Sequence, residues 1–88
     1  MLRLITNNRF EREREKAKKR GKDMRKLTEV VTLLLEEKLL PVKYKNHKLQ
    51  GDYIGYWECY VQPDWLLVYR KAASEIILAR TGSHSDLF

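Results

Sequence analysis

The sequence predicts an α+β fold, in which two N-terminal helices pack on one face of a mostly antiparallel sheet. Three observations support this fold class. The first half of the chain carries two segments with helical spacing of charged or apolar residues, and the second half carries three segments rich in β-branched and aromatic residues. Glycine and Pro-Asp turn signals separate those later segments. At 88 residues, the chain is predicted to form a single domain over residues 1–88.

The N-terminal half is predicted to be a short strand followed by two helices. Residues 2–6 alternate in the manner of a strand, and residues 9–20 (RFEREREKAKKR) are strong helix formers that an asparagine at position 7 or 8 can cap. Gly21 ends this helix, and Asp23 caps a second one that runs to about residue 37. The apolar positions of the second helix are Met24, Leu27, Val30, Val31, Leu34 and Leu35. Their spacing predicts an amphipathic helix with one side facing the core.

The C-terminal half is predicted to supply the rest of the sheet. Residues 42–51 (VKYKNHKLQG) form a loop that runs into a short strand, and residues 56–62, 65–71 and 75–80 form three longer strands. Consecutive strands pair as hairpins, whereas the N-terminal strand has to pair with a strand distant in sequence. The predicted order is therefore β-α-α-β-β-β.

Positive charge is concentrated at the start of the chain. Residues 1–26 hold 11 of the 18 Lys and Arg residues but only 4 of the 12 Asp and Glu residues, a net charge of +7 against −1 for the remainder. A basic block of this kind indicates binding to a polyanion, most often a nucleic acid, and a solvated helix face is the alternative. The residues predicted to contact this polyanion are Lys16, Lys18, Lys19, Arg20, Lys22 and Arg25 of the block and, further along the chain, Lys45 and Lys48.

Several classes of protein do not fit the composition. No apolar run approaches the roughly 20 residues that span a bilayer, so no membrane association is predicted. The N-terminus lacks the long apolar stretch of a secretory signal, and the single cysteine, Cys59, cannot form an internal disulfide. With one cysteine and two histidines, we predict neither a metal site nor a cofactor, and we expect a cytoplasmic protein.

Polar side chains with catalytic capacity are found in the second half of the chain. They are His47, Glu58, Tyr60, Asp64, Arg80 and His84. Strand alternation predicts that Glu58 and Tyr60 share one face of their strand, and that Ile76, Leu78 and Arg80 share one face of theirs. An antiparallel meander would then bring Tyr60 and Arg80 to one end of the sheet, together with the turn residue Asp64 and with His84.

Two histidines, a carboxylate and an arginine suit the cleavage of a phosphodiester. Histidine transfers protons near neutral pH, and arginine stabilises the charge that develops on a phosphate. RNA supplies its own nucleophile, the 2′-hydroxyl, so such a site needs no metal. Each residue also has an ordinary structural interpretation: His47 as a surface histidine, Asp64 as a turn residue, Tyr60 as a core aromatic, and Arg80 as an ion-pair partner of Glu58 or Asp86.

The last ten residues, ARTGSHSDLF, end on an apolar pair. Chain ends are usually polar and frayed, so a terminal Leu87-Phe88 predicts that the tail docks on the domain. We predict that these two residues anchor the tail, and that a turn at Gly82 then sets His84 beside Arg80.

Three segments of the second half resemble a known family. YKNHKLQG, WECYVQPDWLLVY and RTGSHSDLF, within residues 44–88, resemble the YafQ-type toxins of the RelE/ParE superfamily, in which the pattern reads roughly YKDHxLxG, ECHxxPDWLLIY and RxGSHSxLF. The resemblance implies a RelE-like fold and an endoribonuclease toxin that cleaves mRNA on the translating ribosome. It also implies a cognate antitoxin as partner, and contact with operator DNA only through that antitoxin.

The resemblance also implies roles for individual residues. His84 would be the general acid that protonates the leaving 5′-oxygen, and Asp64 a base or orienting group near the 2′-hydroxyl. Arg80 would stabilise charge on the scissile phosphate, His47 would assist proton transfer or position the RNA, and Phe88 would hold the tail and brace a nucleotide.

One position departs from the family pattern. Tyr60 stands where the pattern has the histidine of ECH, and a phenol with a pKa of about 10 is a poor general base at neutral pH, whereas an imidazole at about 6.5 is suited to the role. Three explanations stay open: a natural substitute, an attenuating replacement, or a homologue that has lost activity. A catalytically inactive protein that binds RNA or the ribosome is therefore the first alternative function, and an inhibitor of DNA gyrase on the same fold is the second.

Overall fold

The computed structural model describes residues 1–88, and it contains the predicted strand–helix–helix–strand–strand–strand order with short additions. The strands are β1 (Arg3–Thr6), β2 (His47–Lys48), β3 (Trp57–Gln62), β4 (Trp65–Lys71) and β5 (Glu75–Gly82). The helices are α1 (Asn8–Lys19), α2 (Met24–Leu35) and α3 (His84–Leu87), and single 3-10 turns lie at Val42–Tyr44 and Gly51–Tyr53. The C-terminal helix α3 was not predicted from the sequence.

The five strands form one sheet in the order β1-β5-β4-β3-β2. The pairs β2–β3, β3–β4 and β4–β5 are antiparallel, whereas β1 lies parallel to β5, with Leu4 opposite Ile76. The predicted α+β class and the mostly antiparallel sheet are confirmed. The N-terminal strand does pair with a strand distant in sequence, and the helices occupy the connection that a parallel pair requires.

Local signals in the sequence begin and end the two long helices. The side chain of Asn7 caps α1 by accepting a hydrogen bond of 2.7 Å from the backbone N–H of Phe10. Gly21, with a φ of 85°, follows the last turn of α1 in the left-handed conformation that glycine adopts without strain. Asp23 caps α2 by accepting from the backbone N–H of Arg25. The second helix ends at Leu35 rather than near residue 37.

Two apolar clusters cover the two faces of the sheet. The main core lies between the helices and the sheet, and it contains Phe10, Ala17, Leu27, Val30, Leu34, Cys59, Val61, Trp65, Leu67, Tyr69, Ile76 and Leu78, among others. A smaller cluster on the opposite face consists of Leu66, Val68 and Leu87, with Leu49, Tyr53, Tyr56, Tyr60 and Ala79 packed against it. The long helices α1 and α2 leave this second face open, α3 packs at its end through Leu87, and the candidate site lies there.

A bulge in β5 decides which face carries Arg80. Val68 pairs with Arg80, but the next residue, Tyr69, pairs with Leu78, so Ala79 has no partner. Directly paired residues share a face of a sheet, which puts Arg80 on the face of Val68 and opposite Leu78. The prediction that Arg80 shares a face with Leu78 is therefore wrong, because simple alternation does not allow for the extra residue of a bulge.

The C-terminal tail is tied down by polar contacts as well as by apolar ones. Ser83 and Asp86 form a reciprocal capping box at the start of α3, and Asp86 also pairs with Arg20 at 2.8 Å and with Lys16 at 3.6 Å. Leu87 is buried in the smaller cluster, whereas Phe88 is 64% exposed. The predicted anchoring by both terminal residues is therefore correct for Leu87 and wrong for Phe88.

Gly82 is the last residue of β5 and does not form the predicted turn, which Ser83 begins instead. A Cβ atom at Gly82 would lie 3.0 Å from the Cβ of Asp86 and 3.4 Å from a methyl group of Leu87. Since nothing larger than glycine fits at this spacing without movement, Gly82 allows α3 to fold back against the end of the strand.

We expect the Asp86→Ala variant to lose about 1 kcal/mol of unfolding free energy at pH 7, as is typical for the loss of a helix cap. Hydrogen bonds from the backbone N–H of Ser83 and from the side chain of Arg20 hold the pKa of Asp86 well below its usual range. A carboxylate with a lowered folded-state pKa stabilises the fold above its unfolded-state pKa of about 4, and this contribution is lost as the pH falls through the folded-state value.

Thermal melting of the two proteins between pH 7 and pH 2 measures this contribution. The difference in melting temperature should be constant above about pH 5 and should narrow at lower pH. An Asp52→Ala variant is the control, since Asp52 is exposed and forms no ion pair or side-chain hydrogen bond. A difference that persists unchanged at pH 2 would contradict the assigned role of Asp86.

Candidate active site

The candidate residues are spread across the open face of the sheet in register. His47 pairs with Glu58, Glu58 with Val68, and Val68 with Arg80, so these four residues form one row across strands β2 to β5. Neighbouring strands lie about 4.8 Å apart, which places His47 and Arg80 at opposite ends of a row roughly 14 Å long. Tyr60 lies on the same face, two residues further along β3. The structure thus brings the predicted residues onto one surface, with the two ends of the row well separated.

A hydrogen-bonded chain joins Asp64, His84 and Tyr60 at the end of the sheet. Oδ1 of Asp64 accepts from both the backbone N–H and the ring Nδ1 of His84, each at 3.0 Å. On the other side of the ring, Nε2 lies 3.0 Å from the hydroxyl of Tyr60. Because a carboxylate only accepts, Nδ1 carries a proton, and in the neutral ring Nε2 accepts from the Tyr60 hydroxyl. Tyr60, Asp64 and His84 meet as predicted, whereas Arg80, the fourth residue of that prediction, forms no hydrogen bond with any of them.

The turn between β3 and β4 orients Asp64 for this contact. Asp64 has a φ of 57°, a left-handed conformation that Asp tolerates better than most residues. Hydrogen bonds from the backbone and the ring of His84 hold the pKa of Asp64 below its usual range. Asp64 is therefore ionised at neutral pH, and it fixes the tautomer and direction of the His84 ring. The side chains of His84 and Asp64 remain 53% and 65% exposed, so a substrate can reach them.

Arg80 is held by a residue that the sequence analysis did not single out. Its Nε donates to Oε2 of Glu13 at 3.1 Å, and its Nη2 donates to the same carboxylate. Its Nη1 lies 3.5 Å from the hydroxyl of Tyr53. The expected partners, Glu58 and the Asp86 carboxylate, are both engaged elsewhere. The hydrogen bond to Glu13 raises the pKa of Arg80, which therefore stays positively charged.

His47 binds two acceptors at once. Its Nε2 lies 3.2 Å from Oε1 of Glu58, and its Nδ1 lies 2.7 Å from the backbone carbonyl oxygen of Lys45. A ring protonated on both nitrogens satisfies both acceptors, whereas a neutral ring satisfies only one. Glu58 is buried, its Oε2 has no hydrogen-bond partner, and His47 is its one polar side-chain contact. Because both ring nitrogens are turned to protein acceptors, His47 can bind a phosphate only after it releases one of them.

Phe88 and Tyr53 border the site on the side of Arg80. Their rings meet edge to face, with centroids 6.2 Å apart. The exposed ring of Phe88 is available to contact a nucleobase. Nothing in the local sequence marks Tyr53 or Glu13 as a site residue among its neighbours. Glu13 is one of three alternating glutamates in RFEREREK, and only the packing of α1 against β5 separates it from Glu11 and Glu15.

The predicted RNA-binding residues fall into two groups. Lys16 and Arg20 hold Asp86, Arg25 pairs with the helix cap Asp23, and Lys45 and Lys48 lie over the rings of Tyr60 and Trp57 at 5.7 and 5.4 Å. In contrast, Lys18, Lys19 and Lys22 form no ion pair.

A groove of about 560 Å³ runs between α1 and the tail and is lined by Lys16, Arg20, Lys22, Asp64, Arg80 and Ser83, among others. The basic helix therefore borders the candidate site directly.

The remaining reactive groups do not extend the site. Cys59 is fully buried, and burial raises the pKa of its thiol to about 12, which leaves it unreactive at neutral pH. No group of three or more His, Cys, Asp or Glu side chains is arranged to hold a metal ion. None of the helices has the length and apolar character needed to cross a bilayer.

Comparison with known proteins agrees with this fold. The YafQ family model, described as a bacterial toxin of type II toxin–antitoxin systems, matches residues 2–88. The mRNA interferase toxin YafQ of Escherichia coli K12 is 47% identical over 73 residues, which cover 82% of this chain and 79% of that protein.

Solved structures extend the likeness to the whole chain. The crystal structure of YafQ from E. coli superposes with a TM-score of 0.94 at 37% identity, and the E. coli DinJ–YafQ complex with a TM-score of 0.93 at 37% identity. Each comparison covers 100% of this chain and 99% of the other. Since the family model spans nearly every residue and the fold agrees along the full length, the chain belongs to the YafQ family of bacterial toxins of type II toxin–antitoxin systems.

Proposed function

We propose that this protein is a ribosome-dependent endoribonuclease that cleaves mRNA by acid–base catalysis with the RNA 2′-hydroxyl as nucleophile. The observation that carries the proposal is the exposed Asp64–His84–Tyr60 chain on the sheet face that also holds Arg80. The name of the E. coli relative, an mRNA interferase, supports the same reaction class. The gyrase-inhibitor alternative has no use for a carboxylate-oriented histidine.

In this reaction the 2′-oxygen attacks the adjacent phosphorus, and the bond from phosphorus to the 5′-oxygen breaks. His84, protonated on Nε2 once the substrate replaces the Tyr60 hydroxyl, donates its proton to the leaving 5′-oxygen. Asp64 keeps the ring oriented and stabilises the imidazolium, as carboxylate–histidine pairs do in other enzymes. The products are a 2′,3′-cyclic phosphate, which can hydrolyse to a 3′-phosphate, and a 5′-hydroxyl end.

The other residues bind charge or bases. Arg80 stabilises the negative charge on the pentavalent phosphorus through Nη1, the guanidinium nitrogen whose one contact is the weak one of 3.5 Å to the Tyr53 hydroxyl. His47 binds a neighbouring phosphate at the far end of the row, and Phe88 braces a nucleobase. The proton of the 2′-hydroxyl passes to Oδ2 of Asp64, the carboxylate oxygen that accepts no hydrogen bond from His84. This transfer is the slow step, because the pKa of Asp64 is lowered and Tyr60 is a poor base at neutral pH.

We also propose that a co-expressed antitoxin binds and restrains this protein. The E. coli relative has been solved in complex with DinJ, and the chain matches that YafQ over its whole length. The antitoxin would connect the toxin to operator DNA, and the toxin itself would make no separate DNA contact. The reaction on ribosomes places the active protein in the cytoplasm.

Primer extension on an mRNA under translation tests the proposed activity. We expect new 5′ ends within the coding region in the presence of ribosomes, absent with the same mRNA alone, and carrying a 5′-hydroxyl that polynucleotide kinase can phosphorylate. Ribosome stalling without new 5′ ends would instead identify a non-catalytic binder. Loss of DNA supercoiling by gyrase in the presence of the protein would identify the gyrase-inhibitor alternative.

Neutralising the free lysines at the end of α1 tests the role of the basic surface. In a Lys18→Ala, Lys19→Ala, Lys22→Ala triple variant we expect weaker ribosome binding and a shallower dependence of the affinity on salt, by up to about 0.7–0.9 in the log–log slope for each lost phosphate contact. Sedimentation with ribosomes from 50 to 300 mM salt, a range of about one order of magnitude, measures both effects.

A triple variant of Arg3, Lys38 and Lys71 to alanine is the charge-matched control, since these residues lie outside the segment from Lys16 to Lys22 and line neither of the two grooves that contain Asp64. An equal loss of affinity in both triple variants would show that only net charge matters. Equal affinity of the parent and the α1 variant at every salt concentration would show that the α1 charge is a solvated helix face.

A further inference from the structure

The Glu13 carboxylate binds the backbone edge of β5 just beyond the point where β1 ends. The pairing of β1 with β5 stops at Thr6 opposite Leu78, so the β5 backbone beyond Leu78 has no strand partner on that side. There Oε1 of Glu13 accepts a hydrogen bond of 3.2 Å from the backbone N–H of Thr81. A side chain from α1 thus continues the hydrogen bonding of the sheet edge, and its carboxylate is held in one place by the backbone.

The same carboxylate holds one edge of the Arg80 guanidinium. Glu13 uses its oxygens to accept from Nε and Nη2, the side-on arrangement of two neighbouring N–H donors that fixes the plane of the group. The other contacts of Arg80, with the hydroxyl of Tyr53 and the carbonyl oxygen of Asp86, are both at 3.5 Å and hold it weakly. The Arg80 and Glu13 side chains are only 11% and 17% exposed, so solvent screens the pair little.

We infer that Glu13 is a positioning residue for catalysis, which fixes the Arg80 guanidinium so that its Nη1 donors point to the site of the scissile phosphate. This inference rests on the proposed function. Arg80 follows a bulge and has a long, flexible side chain, so without Glu13 it would sample several orientations at the site. A charge-stabilising donor contributes most when it is already oriented before the reaction begins.

A competing role for Glu13, in which its carboxylate blocks Arg80 until RNA displaces it, predicts the opposite change in cleavage when Glu13 is removed. If Glu13 were a competitor that neutralises Arg80 and is displaced by RNA, its removal would strengthen RNA binding and raise cleavage. If it positions Arg80, its removal lowers the rate constant of the chemical step and changes substrate affinity little. The difference arises because Glu13 occupies Nε and Nη2 and leaves Nη1 unblocked.

The test compares the parent, Glu13→Gln, Glu13→Asp, Arg80→Ala and the Glu13→Gln/Arg80→Ala double variant in ribosome-dependent cleavage. We expect Glu13→Gln to lower kcat by about 10–100-fold with KM within about twofold, since small misplacements of a catalytic group cost this much. Glu13→Asp keeps the charge with a shorter reach, and it should lie between the parent and Glu13→Gln. In the Arg80→Ala background, Glu13→Gln should have no further effect. Glu15→Gln is the matched control, because Glu15 is exposed on the same helix and forms no ion pair or side-chain hydrogen bond.

A readout independent of cleavage separates this inference from the proposed function. The Nε–H signal of Arg80 in a ¹⁵N–¹H NMR spectrum should be sharp and slow to exchange in the parent, and should broaden and exchange faster in Glu13→Gln while thermal melting still shows a folded protein. An unchanged Nε–H signal, a rise in cleavage, or an equal loss in the Arg80→Ala background would each overturn the inference. A parent that holds Arg80 firmly but does not cleave mRNA would overturn the proposed function and leave Glu13 as a structural clamp.

Discussion

The His84→Ala variant is expected to lose about 10²–10⁴-fold in mRNA cleavage, the usual contribution of general acid–base catalysis, and to remain folded. The alanine retains the backbone N–H that donates to Asp64, so the turn and the start of α3 keep their hydrogen bond. The ring itself is half exposed and contributes little packing. Substitutions at such positions usually change stability by no more than about 0.5 kcal/mol.

Cleavage and thermal melting measured on the same preparations check this expectation. His84→Gln is the isosteric variant, because an amide can still hydrogen-bond to Asp64 and Tyr60 but transfers no proton at neutral pH. Ser85→Ala, at the adjacent exposed position of α3, is the control for disturbance of the helix. Unchanged cleavage by a folded His84→Ala protein would exclude His84 from the mechanism.

The Tyr60→His variant is expected to cleave mRNA at least about 10²-fold faster than the parent. Position 60 faces the open side of the sheet, and its hydroxyl reaches the ring of His84, so a side chain here is within reach of the reacting groups. An imidazole with a pKa near 6.5 accepts a proton at neutral pH, whereas a phenol with a pKa near 10 does so poorly. The substitution therefore supplies a better base than the parent site contains.

The structural cost of this substitution should be small. Tyr60 is half-buried and packs at the border of the smaller cluster rather than in the main core, so we expect a loss of less than about 1 kcal/mol in unfolding free energy. Tyr60→Phe separates the contribution of the hydroxyl from that of the ring, since it removes the bond to His84 and keeps the packing. A destabilised Tyr60→His protein without a gain in growth arrest or cleavage would refute the assignment of this position to the site. Equal activity of the variant and the parent would assign the base role to Asp64 or His47.

Features that depend on neighbouring residues were determined by the sequence itself. The cap Asp23, the turn at Asp64 and the apolar spacing of α2 each act within a few residues, and each appears in the structure as predicted. For α1 the sequence left the cap open between positions 7 and 8, and the structure selects Asn7. The three motif segments likewise identify the family from local sequence alone. These signals are readable because helix capping, turn conformation and amphipathic spacing are local properties of the chain.

The tertiary structure alone decided how the site is assembled. The bulge at Ala79 turns Arg80 to the open face, and whether a strand bulges depends on its partner's register rather than on its own alternation. Glu13 meets Arg80 across 67 positions of sequence, and no local pattern separates it from the other glutamates of α1. Glu13 is the glutamate that reaches Arg80 because of how α1 packs on β5. The apolar core fixes which face of the helix turns towards the sheet, and that face determines which charged side chain meets Arg80.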